Sequence, residues 1–319
     1  MSFILGMDTG GTYTDAVIID AKDRKVLCKA KALTTKDDLT TGIKNCLDQL
    51  EFDRLEEITL ISLSTTLATN AIVEGRGGRV ALLYMGAELE EDIPAAKSIR
   101  IRGAFDIMGR QKEALEEEEI RRVLKSLKGK VDAVAISGYA SVRNPKHEQE
   151  AAKIAEDVLG IPVICAHHLS TALGFYHRTV TAVLNGRLIS IIDDLLVSTR
   201  KVLKEKGISG SIMVVKGDGT LMTEKLAGQR PVETILSGPA ASVIGGLALT
   251  GQKDGIVVDM GGTTTDIAEV SGGSVKLRRE GANVGGWLTR VQAAEISTFG
   301  IGGDSRICLD RHGEIQIGP

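Results

Sequence analysis

The sequence predicts an α/β protein made of two related halves with mixed sheets and flanking helices, and two observations support this fold class. Strand-like and helix-like segments alternate through most of the chain, which indicates largely parallel strand pairing. The segment MDTGGTYTDAV, which starts at Met7, returns as VDMGGTTTDIA at Val258, with the acid, both glycines, two threonines and the closing Asp in register. Such self-similarity indicates a duplication.

The individual elements follow from hydrophobic periodicity and turn residues. We predict a three-stranded meander around each copy of the motif, with alternating helices and strands between them. Asn144, Pro145 and Gly160 suit the start and end of one helix, and Ser237 suits the capping position of another. The predicted strands are 3–7, 16–20, 26–32, 58–63, 80–85, 131–137, 161–165, 211–216, 256–259, 267–270 and 275–278, and the predicted helices are 38–50, 67–74, 116–127, 145–159, a region from 171 to about 206, and 238–249.

Two domains are expected from the repeat. We place a first domain at residues 1–184 and a partial second domain at 185–319, although the segments between 185 and 250 could belong to either half. Far fewer residues follow the second motif than follow the first, and too few for an equivalent domain. The second half is therefore expected to be truncated.

Composition excludes several classes of function. The chain has 319 residues, 43% of them hydrophobic, and a formal charge of -3 with both signs interspersed. No broad cationic surface is available for a phosphodiester backbone, so nucleic acid is not an expected partner. The sequence lacks an apolar run of membrane-spanning length and a signal peptide, so we expect a cytoplasmic protein with no membrane partner.

The cysteines and two adjacent histidines carry no recognisable metal-site spacing. Cys28, Cys46, Cys165 and Cys308 are scattered singly, which is typical of reduced thiols rather than a disulfide framework or zinc site. The pair at 167–168 has no third ligand at a familiar spacing.

The repeated motif itself carries the chemistry. An Asp at a strand end followed by Gly-Gly-Thr surrounds one concave turn with a carboxylate, unobstructed backbone amides and a hydroxyl, which suits a magnesium-bound phosphate. We predict that Asp8 and Asp259 are the catalytic and metal-binding residues. The predicted phosphate-contacting residues are Gly10, Gly11, Thr12, Thr14, Asp15, Gly261, Gly262, Thr263, Thr265 and Asp266.

Other interpretations of the glycine turns are weaker. A Walker loop is excluded because no Gly-Lys-Ser/Thr follows, and a Rossmann loop is disfavoured because each turn leads into a strand. A plain hairpin turn would explain one copy, but not the repeated acid and threonines. Asp15 and Asp266 could equally fix the hairpins by accepting backbone hydrogen bonds.

Six ordered blocks give a family resemblance. The chain resembles the amino-terminal part of the hydantoinase/oxoprolinase family, and more broadly the actin, hexokinase and heat-shock ATPase superfamily. The resemblance implies a ribonuclease H-like, actin-like duplicated ATPase fold. The blocks are GMDTGGTYTDAVI, STTLATNAIVEG, RNPKHE, YHRTVTAVLNG, LSGPAASVIGG and VVDMGGTTTDIA.

The resemblance also implies an activity. Its cofactors would be ATP and Mg2+, its reaction the ATP-dependent opening of a cyclic amide such as a hydantoin or 5-oxoproline, and its partner a hydantoinase B-like second subunit in an oligomer. Three alternatives stay open: an ATP-dependent ketone carboxylase subunit acting on a ketone, a small-molecule kinase, and a non-enzymatic ATP-driven activator or chaperone.

Further residues are assigned only by motif match. The Ser-Thr-Thr and Ala-Thr-Asn block places Ser64, Thr65, Thr66 and Asn70 near the nucleotide cleft, with helix capping by Thr66 as the alternative. Arg178 matches a family arginine, but His177 replaces the glutamate before it. The segments 217–220 and 302–304 also depart from the family pattern, which suggests a divergent branch with an altered substrate.

Overall fold

The computed structural model describes residues 2–35, 37–89, 91–262 and 264–318. In chain order, the first elements are β1 (Phe3–Thr9), β2 (Tyr13–Asp20), β3 (Val26–Leu33), α1 (Leu39–Asp48), β4 (Ile58–Thr65), α2 (Leu67–Val73), β5 (Val80–Met85), β6 (Lys97–Arg100), β7 (Ala104–Phe105), β8 (Gln111–Glu113), α3 (Glu117–Leu127), β9 (Ala133–Gly138), α4 (Lys146–Leu159), β10 (Val163–Cys165), α5 (Ala166–Leu169) and α6 (Phe175–Glu205). They are followed by β11 (Ser211–Val215), β12 (Leu221–Thr223), α7 (Glu224–Gln229), α8 (Ser237–Thr250), β13 (Gly255–Met260), β14 (Thr265–Ser271), β15 (Ser274–Val275), β16 (Asn283–Val284), β17 (Trp287–Leu288), β18 (Ile296–Phe299), β19 (Arg306–Leu309) and β20 (Ile315–Gly318).

The first sheet is mixed and has β1 in its interior. Its strand order is β12-β11-β4-β1-β2-β3, in which β1 runs antiparallel to β2 and parallel to β4. Alternate side chains of β1 point into the core, where Phe3, Leu5 and Met7 are buried. This period of two is what a strand with one buried face requires. The carboxyl end of β1, and with it the first glycine turn, is held by neighbours on both sides.

A second sheet is formed entirely by parallel strands in the order β10-β9-β5-β6. All six residues of β9 are buried, as expected for a parallel strand covered on both faces. Helices α3 and α4 lie against one face, and the 31-residue helix α6 lies against the other. Helix α6 also packs on α1, so it joins the two sheets.

The second copy of the motif forms a smaller sheet. Strands β13, β14 and β15 are antiparallel, and β18 pairs with β14. Helix α8 packs on this sheet through the buried residues Ala240 and Val243. Among the described strands, β13 pairs only with β14, and its Ile256 and Val258 are exposed. The second motif therefore lies in a much more open setting than the first.

The predicted domain boundary at 184/185 remains a prediction. A division there falls within α6, and strands β11 and β12, which come after it, pair with the first sheet through β4. Sheet order depends on contacts between distant segments, which local periodicity does not reveal.

Two predicted helix ends had different outcomes. Gly160 ends α4 in the left-handed conformation with φ 63°, as predicted. The capping role predicted for Ser237 is wrong, because Leu236, with φ 61°, is the residue before α8 and Ser237 is already helical. Within the described residues, no helix is both long enough and apolar enough to cross a membrane.

Candidate functional site

The first glycine turn connects β1 to β2 in a tight hairpin. Asp8 faces Asp15 and Thr9 faces Thr14 across the ladder, and the Gly10 amide donates to the Tyr13 carbonyl at 2.9 Å. The backbone amides of residues 11 and 12 donate no hydrogen bond to any described residue. The turn therefore offers two adjacent backbone donors, which is the arrangement that anion-binding loops use.

The Asp8 carboxylate lies at the end of β1, partly buried. The Ser64 hydroxyl, at the matching end of β4, donates to its Oδ1 at 2.6 Å. Burial raises the pKa of Asp8, the Ser64 hydrogen bond opposes that effect, and the charges of Asp15 and Asp259 raise the pKa further. A cation beside Asp8 would relieve both the burial cost and the repulsion.

Helix α2 borders the same turn. A Cβ added to Gly11 would lie 2.9 Å from Nδ2 of Asn70, so a side chain at this position would displace the amide. Thr66 precedes α2, but its side chain makes no capping hydrogen bond and lies near Gly10 instead. The structure thus brings Thr66 and Asn70 to the first turn.

Thr65 has a different role. Its hydroxyl donates to the Thr9 carbonyl at 2.8 Å and accepts from the Leu67 amide at 3.1 Å, and the side chain is fully buried. These contacts fix the junction between β4 and α2 behind the turn. Thr14 is buried in the same way, with its hydroxyl 3.0 Å from that of Thr34.

The first turn of α8 also reaches this region. The Ser237 hydroxyl donates to the Thr65 carbonyl at 2.9 Å and accepts from the Thr65 amide at 3.3 Å. A Cβ added to Gly238 would lie 3.8 Å from Oδ1 of Asp8. The positive end of the helix therefore faces the carboxylate. This contact was not predicted from the sequence, where the LSGPAA block was the signal for it.

The second glycine turn repeats the geometry of the first. Asp259 faces Asp266 and Met260 faces Thr265 across the ladder, and the Gly261 amide donates to the Thr264 carbonyl at 2.9 Å. The prediction that both copies form the same hairpin is confirmed. Thr263, which was predicted to contact phosphate, lies outside the described residues.

A loop after β18 packs against the second turn. The Gly303 amide donates to the Gly261 carbonyl at 2.9 Å, and the Asp304 amide donates to the Gly262 carbonyl at 2.8 Å. A Cβ added to Gly262 would lie 2.7 Å from a carboxylate oxygen of Asp304. Asp304, noted in the sequence only as a departure from a pattern, is therefore a further carboxylate beside this turn.

The closing acids of the two motifs make contacts that stabilise the hairpins. Asp15 lies 3.1 Å from the ammonium of Lys31 on β3. Asp266 accepts from the Thr298 hydroxyl at 2.6 Å, and the Thr265 hydroxyl donates to the Ile301 carbonyl at 2.6 Å. These contacts give both acids a structural role that requires no bound metal. Their predicted phosphate contacts remain predictions.

Arg178 lies elsewhere, at the carboxyl end of β9. Its guanidinium donates to the carbonyls of Gly138, at 2.8 Å, and Tyr139, at 3.0 Å, and the residue is 1% exposed. It contacts no described residue of either glycine turn. Its placement in the nucleotide cleft remains a prediction.

The histidine pair does acquire neighbours that the sequence spacing did not indicate. His167 lies 2.5 Å from the buried Glu148 carboxylate, and Cys165 is close enough to complete a three-residue cluster. Glu148 also accepts from the amides of Gly138 and His167, and burial raises the pKa of Cys165 to about 12. These hydrogen bonds link the end of β9 to the helix that follows β10, which gives Glu148 and His167 a structural role.

Comparisons with known proteins agree with this architecture. Residues 4–159 match the family described as the hydantoinase/oxoprolinase N-terminal region, and residues 178–319 match hydantoinase/oxoprolinase. The caprolactamase subunit alpha of Pseudomonas jessenii is 29% identical over 99% of this chain and 50% of its own length. The acetophenone carboxylase gamma subunit of Aromatoleum aromaticum is 27% identical over 99% of this chain and 49% of its own length.

A solved structure extends the comparison to the fold. The crystal structure of the ATP-dependent caprolactamase from Pseudomonas jessenii matches with a TM-score of 0.83 and 28% identity, covering 99% of this chain and 50% of that one. The predicted actin-like α/β fold is confirmed. The chain spans about half the length of these relatives. Two family matches that together cover most of the sequence, with this structural agreement, show that the chain belongs to the hydantoinase/oxoprolinase family.

Proposed function

We propose that this chain is the nucleotide-binding part of an ATP-dependent hydrolase subunit that opens a cyclic amide of the hydantoin or 5-oxoproline type. One observation carries the proposal. Two hairpins with the same register each present an Asp beside a Gly-Gly turn, and the charge of Asp259, after burial and the charge of Asp15, is one of the causes that raise the pKa of Asp8. Such an electrostatic contact supports a shared cleft between the two turns.

The donor set of this cleft fits magnesium. Carboxylate oxygens are hard ligands, and the partly buried Asp8, repelled by Asp15 and Asp259, gains from a nearby dication. We assign the ion to Asp8 and Asp259, held directly or through water. Bound magnesium would neutralise charge on the phosphates of ATP.

The protein residues around the ion bind and orient the nucleotide. The free amides of residues 11 and 12 donate to phosphate oxygens, and the amino end of α8 adds a favourable dipole. Ser64 orients the Asp8 carboxylate, while Asn70 limits the space behind the turn. Transfer of the terminal phosphoryl group to the amide oxygen would activate the carbonyl carbon for attack by water. The C–N bond of the adduct would then break, with the ring nitrogen taking a proton, and a second water would hydrolyse the resulting acyl phosphate to carboxylate and phosphate.

A ketone carboxylase subunit is the second candidate. It is supported by the similarity to the acetophenone carboxylase gamma subunit, which spans nearly the whole chain. Phosphorylation of an enol oxygen would activate a ketone in the same cleft. Since the relatives are named as subunits, we also propose that this chain acts with a second subunit.

The test measures phosphate release from ATP by the full-length protein with its neighbouring subunit. Hydantoin, 5-oxoproline and caprolactam are compared with acetophenone plus bicarbonate. We expect a cyclic amide to stimulate hydrolysis and to be opened. Asp8→Ala should abolish the signal, whereas Asp157→Ala, which changes an exposed residue of α4, should not. Stimulation by the ketone alone would favour the carboxylase, and stimulation by none of them would contradict both candidates.

A further inference from the structure

A cavity of about 430 Å³ lies between three separate segments of the chain. Residues 168–172, just before α6, form one wall. The second wall contains Lys216, Arg230 and Glu233, and the third contains residues 279–281 and 290–292. This volume is within the range of small-molecule sites. The cavity is distinct from the two glycine turns, none of whose residues line it.

The charges on the second wall balance one another. The Lys216 ammonium lies 3.1 Å from the Glu233 carboxylate and 3.3 Å from that of Asp218. Arg230 lies 3.1 Å from Glu233 and also donates to the His168 carbonyl at 2.6 Å. These four side chains satisfy each other, so they contribute polarity and rigidity rather than free charge.

The third wall carries cations without a matching anion. Arg290 donates through Nη1 to the Glu280 carbonyl at 3.3 Å, and its buried Nε has no hydrogen-bond partner among the described residues. Arg279 is exposed and forms no ion pair within the described part of the chain. Glu280 also lines the cavity, but no ion pair there joins its carboxylate to either arginine. The wall therefore presents two guanidinium groups that form no ion pair among the described residues.

Arg290 is held between α6 and the loop that precedes it. Its backbone amide donates to the Thr181 hydroxyl at 2.8 Å, which fixes the residue against α6. Gly174, in that loop, lies beside the Arg290 guanidinium, and its φ of 105° favours glycine. These contacts position Arg290 at the cavity wall.

A second arginine lies behind Arg290. Arg178 is almost fully buried and bonds only to backbone carbonyls, including that of Ala172, which lines the cavity. Burial lowers the pKa of Arg178, and the charge of Arg290 lowers it further against an opposing effect of Glu148. Two neighbouring guanidinium groups therefore repel each other, and an anion in the cavity would relieve the repulsion.

We propose that this cavity binds the carboxylate of a small ligand, with Arg290 as its main partner and Arg279 at the rim. Planar guanidinium groups bind carboxylates through paired hydrogen bonds, which a neutral ring cannot form. Resting on the proposed function, the inference then narrows the substrate to a cyclic amide that carries a carboxylate, rather than an uncharged lactam.

The test is isothermal titration of the full chain at low ionic strength without nucleotide. The two probes are 5-oxoproline and 2-pyrrolidinone, which share the lactam ring and differ by the carboxylate. We expect 5-oxoproline to bind at least about tenfold more tightly than 2-pyrrolidinone, because a charge-assisted hydrogen bond contributes at least the corresponding binding free energy. Equal affinity for the two probes, or no binding of 5-oxoproline, would overturn the proposal.

Variants locate the site. Arg290→Gln should weaken 5-oxoproline binding by about tenfold, and Arg279→Gln by a smaller factor. Arg122→Gln is the matched control, because it removes an exposed arginine of α3 far along the chain from this wall. Thermal melting checks that the Arg290→Gln variant is folded. The Arg279 side chain is exposed, so Arg279→Gln should fold normally and tests the site even if Arg290→Gln does not fold. Unchanged binding by both variants would contradict the assignment.

Nucleotide chemistry separates this inference from the proposed function. Asp8→Ala should lose ATP hydrolysis yet retain 5-oxoproline binding, since Asp8 does not line the cavity. If 5-oxoproline fails to bind while caprolactam stimulates ATP hydrolysis, the carboxylate site is wrong and the proposed function stands. If 5-oxoproline binds and no cyclic amide stimulates hydrolysis, the carboxylate site is correct and the proposed function is wrong.

Discussion

The two glycine turns have the same hairpin and different surroundings. In the first, β1 is flanked by β2 and β4, and Asp8 is partly buried beside Ser64. In the second, β13 pairs only with β14 among the described strands, and Asp259 is exposed. The repeat has thus kept the pairing of the hairpin, but not the environment of the acid. Burial raises the pKa of Asp8, so a nearby cation would stabilise its charged form.

Packing of the glycines shows the same contrast. A Cβ added to Gly10 would lie 3.0 Å from the Tyr13 carbonyl, whereas one added to Gly261 would lie 3.6 Å from the Thr264 carbonyl. The first distance requires the backbone to shift, and the second is an ordinary contact. The first turn is therefore the more tightly constrained of two otherwise matching turns.

The largest expected effect separates the two acids. Asp8→Asn should lower ATP hydrolysis by about 10²–10³-fold, because it removes a preorganised charge from the constrained site. Asp259→Asn should cost only about 10-fold, since an exposed carboxylate is more easily replaced by water. Steady-state phosphate release measures both. Equal losses would show that the difference in environment does not matter for catalysis.

The matched glycines come next. Gly10→Ala should lower the free energy of unfolding by about 1–3 kcal/mol through overpacking. Gly261→Ala should change it by less than about 0.5 kcal/mol. Urea denaturation followed by circular dichroism provides the measurement. If Gly261→Ala proves as destabilising as Gly10→Ala, the second turn is more constrained than its exposed position indicates.

A smaller difference is expected for the hydroxyls that brace each turn. Ser237→Ala should cost about 1–2 kcal/mol of unfolding free energy, because it leaves the buried amide and carbonyl of Thr65 without a partner. Thr298→Val removes an exposed hydrogen bond to Asp266 and should cost less. Thermal melting of both variants gives the comparison, and a larger loss for Thr298→Val would reverse it.

The pH dependence of ATP hydrolysis should respond in opposite directions to two substitutions. Ser64→Ala removes a hydrogen bond that lowers the pKa of Asp8, so the acidic limb of the rate profile should move to higher pH. Asp259→Asn removes a negative charge that raises this pKa, so the limb should move to lower pH. The measurement is the rate of ATP hydrolysis of each variant across the acidic pH range. Shifts of the acidic limb in the same direction for both variants would exclude Asp8 as the titrating group.

The hairpins were predictable because their chemistry is local. The repeated Asp-x-Gly-Gly-Thr motif predicted both turns, and Gly160 predicted the end of α4. The position of α8 against Asp8 was not predictable, because Ser-Gly-Pro resembles an ordinary helix start while Ser237 bonds to Thr65, far away in the chain. The joining of β11 to the first sheet likewise depends on distant contacts.

Helix α8 connects the surroundings of the two acids. Its first turn abuts Asp8, and only residues 251–254 separate its last turn from the strand that carries Asp259. Fourteen helical residues span about 21 Å and transmit displacement with little bending. A displacement of the first turn of α8 would therefore also displace the strand that carries Asp259, so the surroundings of the two acids are mechanically coupled.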